Sequence, residues 1–244
     1  MPNVMNITIL TVFGDNYIYL LEYSPGLCFV VDPGDAKSVL EALESQRLRL
    51  THVFITHHHA DHIGGVSTLK QKTSCEVMGP DKQRMPGLDT IVNDGQIIEL
   101  GEIAVRCIST PGHTATSVCY FVTGSPLESP VLFTGDTLFV CGCGRMFECD
   151  GQTMFESLQA LTALPDETLV YPGHDYTDEN VRFALMFKPD NEQLREKLTL
   201  VRNQNRSGQP TVPSALSEEK QINPFLLAED WQGFASLRRK KDDF

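Results

Sequence analysis

Short apolar runs separated by turn formers set the frame of the chain. Residues 7–13, 17–23 and 27–31 are rich in Ile, Leu, Val and aromatic side chains, and Gly14, Asp15 and Asn16, then Ser24, Pro25 and Gly26, punctuate them. The pattern predicts three short strands in a meander. Asp32, Pro33 and Gly34 close the third strand, serving equally well as punctuation or as part of a site. Asp35 is placed to cap a helix whose Val39, Leu40 and Leu43 form an apolar stripe. A strand over 50–56, a helix over 63–71 and a strand over 75–78 follow, and strands over 96–100, 103–108 and 117–122 repeat the texture of the first half. The apolar run 131–136 ends in Gly-Asp, and the run 169–174 ends in Pro-Gly-His. Between them Thr153 and Glu156 form a capping box for a helix through Leu164. From Thr177 the period is helical, with Val181 and Leu185 on one face, then Leu194, Leu198 and Val201 on another. Residues 207–213 interrupt it, Asn223 and Pro224 open a further helix, and 234–241 is a basic, solvated helix end.

With 244 residues and 41% hydrophobic content, the chain is long enough for one large domain, or one domain and a small appendage. No run approaches the roughly 20 apolar residues of a membrane span, and the start has no basic segment followed by an apolar one, so no export signal is expected. Seven cysteines, odd in number and scattered through apolar segments, read as reduced thiols in a cytoplasmic protein rather than a disulfide framework. The net charge of −12 is uneven. Residues 1–172 carry 9 basic and 20 acidic side chains, net −11, whereas residues 173–244 carry 11 and 12, net −1. So acidic a chain is a poor partner for nucleic acid.

The candidate chemistry is concentrated in residues 56–65, THHHADHIGG, which hold four of the seven histidines. The spacing H-x-H-x-D-H offers two ligand sets. His57 and His59 can point one way where a strand frays into a loop, while Asp61 and His62 aim at a neighbouring point. Imidazole nitrogen and carboxylate oxygen suit zinc and related first-row metals. A solvated polar turn or a histidine tract is the bland alternative, but the flanking strand and helix place the cluster at a strand end. His113, in a Pro-Gly-His turn, Asp136 and His174 likewise follow apolar strands. Four strands thus deliver His or Asp just past their C-terminal ends, where open sheets gather ligands, and a carboxylate such as Asp136 can bridge two metals. Cys141 and Cys143 lack the spacing and the second pair of a thiolate zinc site.

The set His57, His59, Asp61, His62, His113, Asp136 and His174 resembles the full ligand pattern of the metallo-β-lactamase superfamily, whose fold is an αββα sandwich of α/β (α+β) class. Asp15-Asn16-Tyr17, residues 134–139 and 142–145, Gly173-His174-Asp175-Tyr176 and the terminal Leu-Arg-Arg-Lys-Lys-Asp further resemble the glyoxalase II, or hydroxyacylglutathione hydrolase, family, over essentially the whole chain. That resemblance implies a catalytic domain over 1–172 and a small helical substrate-binding domain over 173–244. It places one metal on His57, His59 and His113, a second on Asp61, His62 and His174, and Asp136 between them; His52 and His58 match no ligand position. It assigns glutathione contacts to Arg145, Tyr176, Arg238 and Lys241. Phe147 departs from a tyrosine common in relatives, removing one polar contact. The implied activity is hydrolysis of S-(2-hydroxyacyl)glutathione thioesters such as S-lactoylglutathione, giving glutathione and D-lactate, in methylglyoxal detoxification. The implied nucleophile is a hydroxide bridging two divalent ions, zinc being expected and iron or manganese accepted by the same ligands, with Asp61 and Asp136 as its carboxylates. The expected protein is a cytoplasmic monomer with no nucleic-acid or membrane partner.

Rival readings are other metal-dependent enzymes of the superfamily, such as a lactonase, a β-lactamase or an iron persulfide dioxygenase, against which the relatively basic C-terminal segment speaks. RNA processing conflicts with the acidic surface. A non-catalytic binding protein on this fold usually lacks ligand residues, and here all seven are present.

Overall fold

The computed structural model describes residues 7–85, 87–125 and 127–244. β1 (Ile7–Val12), β2 (Asn16–Ser24) and β3 (Leu27–Val31) form the expected antiparallel meander. α1 (Ala36–Gln46), capped by the Asp35 carboxylate, which accepts from the Ser38 N–H at 2.8 Å, crosses back so that β4 (Arg49–Phe54) lies parallel to β3. α2 (Ala60–Ile63) and α3 (Val66–Thr73) lead to β5 (Glu76–Gly79), and β6 (Thr90–Ile91) completes a six-stranded sheet in sequence order. The single helix expected over 63–71 is two, because the chain at Gly64 and Gly65 presses on the turn after β3. A Cβ on Gly65 would stand 2.6 Å from the Pro33 carbonyl oxygen.

β7 (Ile97–Leu100), β8 (Ile103–Ser109), β9 (Val118–Gly124) and β10 (Val131–Gly135) run antiparallel to one another. β11 (Leu138–Phe139) and β12 (Gly142–Cys143) make a short ribbon, and α4 (Gly151–Thr162) crosses to β13 (Leu169–Pro172), parallel to β10. Asp150, not Thr153, caps α4. Its carboxylate accepts from the Thr153 N–H at 2.9 Å, and Glu156, within the helix, takes a bond from Gln152 instead. α5 (Thr177–Phe187) and α6 (Glu192–Arg206) precede β14 (Ser214–Ala215), which pairs antiparallel with β13. The second sheet is therefore ordered β14-β13-β10-β9-β8-β7, with an edge strand drawn from the C-terminal segment. Asn223 does not open a helix but closes α7 (Leu216–Ile222), and Pro224 cannot continue it. The last helix, α8 (Trp231–Asp242), starts at an Asp230 cap.

Side chains of β2 alternate between two cores. Tyr17, Tyr19 and Leu21 enter the inter-sheet core with Phe29, Phe54, Tyr120 and Phe133, while Ile18 and Leu20 pack outward under Val39 and Leu43 of α1 and Leu69 of α3. Both faces are covered, so these strands read as unbroken apolar runs rather than as alternation. A third cluster joins the outer face of the second sheet, through Phe121, Leu132 and Val170, to Met154 and Leu158 of α4, Leu216 of α7 and Phe234 of α8. Layers of helix, sheet, sheet and helix result, and no described helix is long and apolar enough to cross a membrane.

Candidate metal centre

The four strand ends meet at one edge of the sandwich. His57 and His59 lie in the loop after β4, Asp61 and His62 on α2, His113 after β8, Asp136 after β10 and His174 after β13. His59 Nδ1 stands 3.2 Å from His57 Nε2 and 3.0 Å from His113 Nε2, and His113 Nε2 is 3.3 Å from Asp136 Oδ2. Beside this set, His62 Nε2 is 3.3 Å from His174 Nε2 and 3.4 Å from Asp136 Oδ1, and Asp61 Oδ2 is 3.4 Å from His174 Nε2. Ligands about 2.0–2.1 Å from a tetrahedral ion lie roughly 3.3 Å from one another, so these spacings match two adjacent ligand sets. Asp136 touches both sets, and its Oδ1 is buried without a hydrogen-bond partner. An orphaned carboxylate oxygen facing converging imidazoles fits a cation better than it fits water. The backbone makes room for this convergence at Gly173, where a Cβ would lie 2.5 Å from Asp136 Oδ1 and 2.7 Å from His62 Cε1.

Four imidazoles are oriented from behind. His57 Nδ1 lies 3.0 Å from Thr56 Oγ1, His62 Nδ1 3.0 Å from Asp32 Oδ2, His113 Nδ1 2.8 Å from the Arg145 carbonyl and His174 Nδ1 3.1 Å from Asp15 Oδ1. Each bond fixes a tautomer with Nε2 free to face the centre. Asp32 also accepts from the Thr56 N–H and hydroxyl, at 2.7 and 2.6 Å, and Asn16 donates to Asp61 Oδ2 at 3.0 Å. Burial holds the imidazoles of His57 and His113 below the usual histidine range. Burial also opposes charge on His62 and His174, but their carboxylate neighbours outweigh it, raising His62 and pushing His174 up to about 11. Burial would raise Asp136, yet His62, His174 and His57 keep it well below the carboxylate range. Two carboxylates and five imidazoles thus converge, the donor set of a divalent transition metal, whose charge would take the place of the proton that the carboxylates favour on His62 and His174.

A cavity of about 350 Å³ opens onto His113 and Asp136, and Arg145, Tyr176, Arg238 and Lys241 all line it. Tyr176 stacks on His174 at 4.8 Å. Phe147 is 62% exposed at the rim, with its ring 5.7 Å from His59 and 5.2 Å from His113. The basic tail is only half solvated, with Arg239 and Lys240 exposed and the other two basic residues buried. Arg238 and Lys241 are only 4% and 6% exposed. Arg238 Nη1 donates to the Cys143 carbonyl at 2.7 Å and Nη2 pairs with Asp242 at 3.1 Å, while Lys241 pairs with Glu179.

With this geometry in view, comparison with known proteins is specific. The profile of the Metallo-beta-lactamase superfamily matches residues 11–174, and that of the Hydroxyacylglutathione hydrolase C-terminus matches residues 175–244. A hydroxyacylglutathione hydrolase of Methylococcus capsulatus is 43% identical, covering 99% of both chains, and one of Photobacterium profundum is 44% identical over 95% of this chain and 96% of its own. The chain belongs to the hydroxyacylglutathione hydrolase family. Among solved structures, ETHE1 from Myxococcus xanthus superposes with a TM-score of 0.72 at 28% identity, over 96% of this chain and 90% of that one. A metallo-beta-lactamase from Staphylococcus aureus shares the fold, with a TM-score of 0.71 at 22% identity, over 98% of this chain and 72% of its own.

The structure brings together all seven sequence-derived ligand candidates and leaves two histidines out. His52 stacks on Phe54, and His58 faces Glu148, 3.6 Å away. Sequence reasoning missed the orienting roles of Asp15, Asn16 and Asp32. Asp32 had a usable signal, since a carboxylate ending an apolar strand is the same feature that marked Asp136.

Proposed function

We propose that this chain hydrolyses S-(2-hydroxyacyl)glutathione thioesters, S-lactoylglutathione among them, to glutathione and a 2-hydroxy acid such as D-lactate, in methylglyoxal detoxification. The carrying observation is that the segment matching the hydroxyacylglutathione hydrolase C-terminus places Tyr176, Arg238 and Lys241 on a cavity that also contains His113 and Asp136. Two divalent ions would be held there, one by His57, His59 and His113, the other by Asp61, His62 and His174, with Asp136 shared. The orphaned Oδ1 of Asp136 supports that sharing. When bound, such ions, zinc being our assignment, supply Lewis acidity and a nucleophilic water at neutral pH.

The remaining work falls to the chain's own side chains. Asp61 and Asp136, both held ionised, supply negative charge that offsets the cations. Arg145, Arg238 and Lys241 offer the peptide's two carboxylates charge-assisted hydrogen bonds, and Tyr176 flanks the peptide beside His174. Water adds to the thioester carbonyl, the C–S bond breaks and the sulfur leaves as thiolate. With a thiol pKa of roughly 8.5 the leaving group needs no strong general acid, and none is required of this site. Phe147, which lacks a hydroxyl, gives the rim an apolar face.

We further assign residues 1–172, together with the ligand His174, to catalysis and the rest of 173–244 to substrate binding, in a cytoplasmic monomer. Seven free cysteines support a reducing compartment; burial pushes Cys28, Cys107 and Cys119 up to about 12. Metal analysis combined with an S-lactoylglutathione hydrolysis assay tests the proposal. A protein with two bound metals and no thioesterase activity would refute the substrate, and one that binds no metal would refute the mechanism.

A further inference from the structure

Glu219 on α7 is a fully buried carboxyl group, 0% exposed, with no part in the reaction above. Its Oε2 accepts from the Cys141 N–H at 2.8 Å and from Asn223 Nδ2 at 2.9 Å. The same Asn223 Nδ2 lies 3.2 Å from the Phe139 carbonyl and 3.1 Å from that of Gly142. Together the two residues fasten both strands of the β11–β12 ribbon to α7. On the other side, Ser214 Oγ is 2.6 Å from Glu219 Oε1 and 3.0 Å from Glu218 Oε2, and Lys197 Nζ donates to Glu218 Oε2 at 2.7 Å.

The hydrogens in this cluster do not suffice if both glutamates are ionised. A serine hydroxyl has one proton, and two carboxylate oxygens would compete for it, leaving one oxygen facing another with no hydrogen between them. Charge leads to the same point. Lys197 is already paired with Glu218, whose side chain is 38% exposed, so an ionised Glu219, itself fully buried, would have no cation in contact with it, which is costly. We propose that Glu219 is held as the neutral carboxylic acid and is the positioning residue that fixes the β11–β12 wall of the substrate cavity. Its Oε1–H then donates to Ser214 Oγ, the Ser214 hydroxyl donates to Glu218, and Oε2 stays an acceptor for Cys141 and Asn223, so both Ser214 contacts carry a hydrogen.

The wall so held carries Phe139, edge-on to Tyr176 at 5.3 Å, and the Cys143 carbonyl that receives Arg238, and it leads directly into Arg145. Burial pushes the Glu219 carboxyl up and outweighs what would favour its ionised form, a hydrogen bond donated by Ser214, the Cys141 and Asn223 donors and the charge of Lys197. Cys141 also faces the cluster, and burial raises it, so it remains a thiol. Positioning rests on the proposed reaction; the proton assignment does not.

The test compares metal-loaded parent protein with Glu219→Gln, whose amide reproduces one donor and one acceptor. The infrared spectrum of the parent should contain a protonated-carboxyl band that Glu219→Gln lacks. A carboxyl whose folded pKa is raised contributes stability that is fully present below the unfolded pKa and is lost as pH rises toward the folded value. The unfolding constant of the parent relative to Glu219→Gln should therefore rise with pH above about pH 5.5, by up to about tenfold per pH unit while the folded carboxyl keeps its proton. Glu219→Gln should keep KM for S-lactoylglutathione within about 2-fold, whereas Glu219→Ala should raise it about 3- to 10-fold with kcat within about 2-fold. If the alanine variant does not fold, Glu219→Asp, one methylene too short to hold the ribbon, carries the same expectation. No band difference, or a stability ratio independent of pH, overturns the proton assignment. An unchanged KM in the shortened variants overturns the positioning role. A parent that shows the band and the slope but does not hydrolyse S-lactoylglutathione overturns the proposed reaction and the positioning role together, with the proton assignment upheld.

Discussion

Asp136 is where the two ligand sets touch. It is within 3.5 Å of His62, His113 and His174, and a Cβ at Gly144 or Gly173 would collide with it. Asp136→Ala is expected to reduce the metal content of both sets and to abolish hydrolysis, since a shared carboxylate cannot be lost from one alone. Metal analysis showing two retained ions would contradict this. His58 makes the opposite case. It sits between two ligand candidates in sequence, yet its Nε2 turns to Glu148 and its Nδ1 has no partner. His58→Gln should keep two metals and most activity, and loss of a metal would show that the ligand register is wrong. The register was legible because a two-residue offset in an extended loop sends side chains to one side, and the third histidine between them to the other.

Among the elements, α8 shows how far a local reading reaches. Arg238 and Lys241, three apart, share a face as helical spacing requires, but that face is buried against β12 and α5. Both residues are therefore structural as well as cavity-lining. Lys241→Ala is expected to raise KM for glutathione thioesters about 10- to 100-fold with kcat within a few-fold, because contacts distant from the carbonyl hold ground and transition states alike. Arg238→Ala should do the same and also lower Tm, since it frees the Cys143 carbonyl. Kinetics on a small neutral thioester provide the check, because a Lys241 variant that loses activity equally on it would show a purely structural tail. Two misread helix ends share one cause: Asp150 accepts from the Thr153 N–H and Asn223 from the Phe225 N–H, and competing polar residues nearby carry the same local signal.

At the scale of the whole molecule, the C-terminal segment is bound into the sandwich. β14 extends the second sheet, and Phe183, Leu216, Phe225 and Phe234 cover its outer face. A chain ending at residue 172 would lose His174, expose the β13 edge and uncover that apolar layer. It is expected to aggregate or to unfold without a cooperative transition, and a soluble truncation with a sharp thermal transition would refute this. What the sequence determined by itself was local. Apolar runs with turn residues located the longer strands, helical periods located α1, α5 and α6, and four strand-terminal His or Asp groups named the ligand candidates. These signals are legible because residues within a strand or a turn of helix interact with near neighbours. Only the tertiary structure decided that Arg238 and Lys241 are buried, that Asp32 and Asp15 orient ligands more than 25 residues away, and that Glu219 and Asn223 secure the ribbon about 80 residues upstream. Those partners are joined by packing between distant segments, and a hydrogen bond formed that way leaves no periodic trace along the chain.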